Sequence, residues 1–114
     1  MEAQGVREIQ TNELEGYMLD AAVAMALGKR IFIAAKMGWL KDTGRQVPRY
    51  SQSWDSGGRL IQQNRISLDM EALHFAPCVA RCAGGMPRFG PTPLIAAMRA
   101  LVGQRLGDSV VFVA

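Results

Sequence analysis

His74, Cys78 and Cys82 stand at the spacing H-x3-C-x3-C. An imidazole and two thiolates are donors that zinc accepts, and three of them with a water would make an open site. A continuous strand, however, would spread these side chains over more than about 13 Å unless Pro77 bends it. PCVARC also comes near the P-C-x-x-C half of the zinc deaminases. It holds one residue too many, and Ala76 stands where the glutamate of their H-x-E would be. The expectation is therefore no metal and no cofactor.

A second group lies in SWDSGGRLI. Backbone N–H groups at Gly57 and Gly58, opening a short helix beside Arg59, would form an anion nest. No Gly-Lys-Ser/Thr follows, so this is not a Walker loop. If a ligand binds here, Tyr50, Ser53, Trp54, Gly57, Gly58 and Arg59 line one concavity with Arg65 nearby, joining a stacking surface to positive charge. The competing reading makes Ser53 or Asp55 the cap of a short helix that Trp54 anchors.

Asp20 and Arg99 form the third candidate. Each is the single charge on an otherwise apolar helical stretch, Asp20 between Gly16 and Gly28 and Arg99 between Phe89 and Gln104. Opposite charges on two mostly buried helices are expected to pair, whereas a failure to meet would leave Arg99 free for ligand contact. Catalytic chemistry finds little else. The one His has no Ser or acid beside it in any recognised arrangement, and the carboxylates are scattered.

The elements that position these residues are legible in part. Thr92 before Pro93 is a helix start, and Gly107 before SVVFV is a helix end leading into a strand, so a helix is predicted from Pro93 to about Leu106. Its Leu94, Ile95, Met98, Leu101 and Val102 share one face. Ala96, Ala100 and Gly103 form a small-residue stripe, which predicts packing on the first helix or a two-fold homodimer. That first helix is predicted from an N-cap at Asn12, with Glu15 at capping-box spacing, to Gly28. RIFIAA (30–35), RISL (65–68) and the 73–81 stretch read as strands, and 37–49 as a loop. Together they predict an α+β domain spanning 1–114, with a small, mainly antiparallel sheet and two long helices packed on one face.

Composition narrows the class. The chain has 114 residues, 49% of them hydrophobic, and a net charge of +3, enough for one core without disulfides. Two cysteines suit a reducing compartment. MEAQGVREIQ lacks the apolar segment of a secretory signal, and no apolar run approaches the roughly 18 residues of a membrane span. Charge is uneven. From Lys29 to Arg65 eight basic residues face only Asp42 and Asp55, and Trp39, Tyr50 and Trp54 lie among them. Such a stretch could bind nucleic acid or a phosphorylated small molecule, but no motif of recognised spacing supports nucleic acid, and a solvated loop anchored by its aromatics competes with both.

ELEGYMLDAAVAMALG (13–28), YSQSWDSGGRLIQQNRISL (50–68) and FGPTPLIAAMRALVGQRLGDSVVFV (89–113) resemble, in that order, the small NinX-like proteins of lambdoid and related phages and prophages. HFAPCV departs from the family's Trp-rich pattern. The resemblance implies a non-enzymatic accessory protein of the host cytoplasm that binds a host protein or a small nucleotide-like ligand. A small enzyme acting on a nucleotide is the alternative, and a nucleic-acid-binding protein the next.

Overall fold

The computed structural model describes residues 6–69 and 78–113. Its elements are the strand β1 (Val6–Gln10), the helix α1 (Gly16–Ala26), strands β2 (Ile31–Ala34) and β3 (Met37–Leu40), the helix α2 (Trp54–Gln63), strands β4 (Ser67–Asp69), β5 (Cys78–Arg81) and β6 (Arg88–Gly90), the helix α3 (Pro93–Leu106) and the strand β7 (Ser109–Val113). The class is α+β, as expected. The single sheet is not found: the described strands form three small antiparallel sheets, β1–β7, β2–β3 and β4–β5–β6. Among the described residues the short α2, at the stretch where a short helix was expected, stands beside the two longer helices.

The last helix follows its sequence signals closely. Thr92 Oγ1 accepts from the N–H of Ile95 at 3.1 Å, Pro93 sits in the first turn, and Gly107 closes the helix at φ 94°. Such a φ is strained for any residue with a Cβ. The chain then enters β7, whose five residues pair in register with β1, from Val6 opposite Val113 to Gln10 opposite Ser109. Thr11 locks that junction. It is fully buried, donates its hydroxyl to the Gly107 carbonyl at 2.6 Å and its N–H to the Asp108 carbonyl at 2.8 Å.

The first helix starts later than its capping box suggested. Thr11–Glu13 form one 3-10 turn, Leu14 is extended, and α1 opens at Gly16 with Glu15 at the cap position and no side-chain cap bond. The chain must first satisfy the β1–β7 junction through Thr11, and that tertiary demand overrides the local signal at Asn12. From there α1 is buried nearly all round, from Met18 to Ala24, and packs beside α3.

The predicted loop at 37–49 is the largest correction. Ala34 pairs with Met37 and Ile31 with Leu40, so β2 and β3 form a hairpin around the two-residue turn Ala35-Lys36. Both turn residues have positive φ, 54° and 57°, as a type I′ turn requires. Gly38 lets this hairpin lie against α1: a Cβ there would sit 3.2 Å from Ala21 Cβ and from Val47 Cγ2.

At Gly103 the small-residue stripe of α3 meets Arg88 of β6 rather than α1. A Cβ on Gly103 would lie 2.6 Å from Arg88 Nε, and one on Gly90 would lie 2.7 Å from the Ala96 nitrogen. The stripe is the seat of β6. Arg88 is 8% exposed there, donating to Asn12 Oδ1 at 3.0 Å and to Asp108 Oδ1 at 2.8 Å.

Candidate functional site

Asp20 lies one helical turn after Tyr17 on the same flank of α1, and it is buried, 6% exposed. Its Oδ1 accepts the N–H of Ser51 at 2.8 Å, which ties the 46–52 segment to the helix. That segment first continues the hairpin, with Leu40 N–H donating to the Arg45 carbonyl and Val47 N–H to the Gly38 carbonyl. It then turns through Pro48 into α2. Here Gly57 is indispensable: a Cβ would stand 2.1 Å from the Tyr50 carbonyl oxygen, so only glycine lets α2 seat on the turn.

Between α1, the hairpin turn and this segment is an open concavity of about 270 Å³, lined by Tyr17, Asp20, Lys36, Met37, Gln46, Arg49 and Gln52. Two exposed cations, Lys36 and Arg49, stand at its rim. Burial pushes the Asp20 carboxyl above its ordinary value, and the neighbouring Ser51 hydroxyl, the Ser51 N–H and the Arg49 charge offset part of that rise. Tyr50, buried beside it, is pushed up first by burial and then by the Asp20 charge. The Ser51 hydroxyl oxygen is buried with no hydrogen bond in good geometry among the described residues. A carboxyl holding one strong N–H at the floor of a concavity has accepting capacity left for a ligand.

The residues singled out from sequence divide unevenly around this concavity. Asp20 lines it, and Tyr50 lies against Asp20. Gly57 and Gly58 fall inside α2 rather than at its start, and Gly57 N–H already donates to the Ser53 carbonyl at 2.7 Å. Ser53 is the cap residue of α2, without a side-chain cap bond. Trp54 opens the helix 57% exposed, with its ring over Gly58. Arg59 and Arg65 are exposed, and neither lines the concavity. Arg99 does not reach Asp20. Its Nε donates to the Leu14 carbonyl at 2.9 Å and its Nη1 to the Phe89 carbonyl at 2.8 Å. The late start of α1 explains this, because it leaves the Leu14 carbonyl outside the helix and in need of a donor. Burial lowers the Arg99 pKa, and the Glu15 charge works against that lowering.

Lys36, Gln46, Arg49 and Gln52 were not expected at a site. Their signal was the hairpin, IFIA-AK-MGWL, hidden by a turn with neither Gly nor Asn. Among the described residues no three His, Cys, Asp or Glu side chains gather as metal ligands. Cys78 and Cys82 are buried thiols not joined in a disulfide, the latter donating to the Asn64 carbonyl at 3.5 Å, and His74 lies outside the described residues. No described helix is long and apolar enough to cross a membrane.

The family described as bacteriophage P22 NinX matches residues 10–105. The chain belongs to the NinX family. It is thereby a phage accessory protein, and the NinX match spans every residue that lines the Asp20 concavity. No curated protein matches the chain.

Proposed function

We propose that this NinX-family protein works in the host cytoplasm without catalysing a reaction, by binding a small, anionic, nucleotide-like ligand in the Asp20 concavity. The observation that carries this reading is the pairing of two rim cations, Lys36 and Arg49, with a floor that holds the buried Asp20 carboxyl. Phosphate oxygens would meet the cations. The Asp20 carboxyl and the amides of Gln46 and Gln52 suit the donors and acceptors of a base or a ribose, and Tyr17 offers a ring for stacking. At about 270 Å³ the space falls just below the usual range of small-ligand pockets, roughly 300–1,000 Å³. It suits one base or one phosphorylated sugar.

The hairpin holds Lys36 at the rim: its φ of 57° is the one a type I′ turn requires, a conformation costing a side-chain-bearing residue about 1–2 kcal/mol. Protein purified from its host and denatured should release a nucleotide, seen as a raised 260/280 nm absorbance ratio and identified by mass spectrometry. Clean protein that also gains no thermal stability from a panel of nucleoside phosphates would refute the proposal.

One observation favours a second reading, a small enzyme acting on a nucleotide. A carboxyl raised by burial inside a concavity is how general acids are made. Turnover of the same panel, lost in Asp20→Asn, would establish that reading instead.

A further inference from the structure

A second concavity lies on a different part of the surface. It measures about 400 Å³ and runs between β2 and β7, bordered by Lys29, Arg30 and Phe32 on one side and Val111 to Val113 on the other, with Lys41 at its end. Two features define what fits it.

The first is the way the strands border it. A strand face presents alternate residues, because successive side chains point to opposite sides. Here consecutive residues border the groove from both strands, Ile31 and Phe32 from β2 and Val111, Phe112 and Val113 from β7, as they do along a strand edge. Among the described residues β2 pairs only with β3 and β7 only with β1. Each therefore has one edge without a partner strand among the described residues, and no described β1 residue lines the groove. Open edges carry N–H and C=O groups that an added strand can use.

The second is composition. Val111 is 48% exposed, Val113 62% and Phe32 39%, an apolar lining for alternate side chains. Among the described residues three cations surround it and no acid lines it. Arg30 is engaged by Asp42. Lys29 and Lys41 have no ion pair among the described residues.

We infer that this groove docks an extended segment of a partner protein in which apolar and acidic residues alternate, added as a strand along a free edge of β2 or β7. Valine walls and open backbone suit a peptide rather than a phosphate chain, and the unpaired lysines select acidic side chains. The inference does not rest on the Asp20 concavity.

The test uses a fluorescein-labelled octapeptide alternating Glu and Val, followed by fluorescence anisotropy against the full-length protein. Saturable binding is expected. The doubly reversed variant Lys29→Glu, Lys41→Glu should weaken it at least tenfold while circular dichroism confirms the fold, since both side chains are exposed. N-methylation of alternate peptide amides should abolish it, because that removes the strand hydrogen bonds and leaves the charge. Arg49→Ala should leave it unchanged, which separates this site from the nucleotide site. No saturable binding, equal binding of a Lys-Val peptide, or indifference to N-methylation would overturn the inference. So would a dimer, seen by light scattering, that the same double variant dissolves, because the groove's occupant would then be a second copy.

Discussion

Two places among the described residues bury a charge, and they treat it in opposite ways. Arg88 is surrounded by groups that consume it: Asn12 and Asp108 take its guanidinium, and Gly103 lies flat beneath it. Asp20 is buried to a similar degree, yet it holds one hydrogen bond in good geometry, from the Ser51 N–H, and opens onto a concavity. A charge whose partners are complete serves the fold. A charge with capacity to spare costs stability, and its retention points to binding.

The contrast breaks first at Gly103. Gly103→Leu must expel the Arg88 guanidinium, combining overpacking with the loss of charge-assisted hydrogen bonds, roughly 4 kcal/mol in urea denaturation. A variant that stays folded and monomeric with unchanged stability would mean that the stripe is not the seat of β6. Arg88→Leu keeps apolar bulk and loses only the polar contacts, so about 2 kcal/mol is expected. Asp108 is 84% exposed at its side chain and is rehydrated at little cost.

At the other region the signs turn around. Lys36→Gly relieves a left-handed turn position, a gain of about 0.5–1 kcal/mol after the greater backbone freedom of glycine in the unfolded chain is deducted. The melting temperature should rise while ligand binding falls. The pH dependence carries the same mark. The Asp20 carboxyl is raised in the folded protein, so its contribution to stability is complete below the unfolded pKa near 3.8 and is lost as pH rises through the higher folded value. Asp20→Asn should remove that loss, and unfolding curves of the two proteins at a series of pH values should diverge in favour of the variant as pH rises. Smallest of all is the coupling between Asp20→Asn and Arg99→Met. With separate partners the two should add to within about 0.5 kcal/mol in a double-mutant cycle. Strong coupling would restore the ion pair that the helix sequences suggested.

That failed pair marks where sequence stops being informative. Thr92, Pro93 and Gly107 delimit α3 because cap chemistry acts within a few residues, and SVVFV becomes β7 through local β-branching. The hairpin turn carries Ala35 and Lys36 at positive φ, and nothing local announces this, since tertiary packing of Gly38 on Ala21 enforces it. The site divides along the same line. Asp20 stood out as an isolated charge and Tyr50 as an aromatic in a basic stretch. Lys36, Gln46 and Arg49 could be placed only once the hairpin was known. Gly57 and Gly58 read as anion-binding glycines, but the need to pass the Tyr50 carbonyl explains Gly57.

The most direct measurement is calorimetric titration of nucleoside mono-, di- and triphosphates into the wild-type protein and into Arg49→Ala. Arg49 is exposed and supports no described hydrogen bond through its side chain, so its removal leaves the fold intact. At least one nucleotide should bind the wild type, and Arg49→Ala should weaken it roughly tenfold or more, the worth of a charge-assisted phosphate contact. If no nucleotide binds, or if both proteins bind equally well, the unused polar capacity around Asp20 is not a nucleotide site.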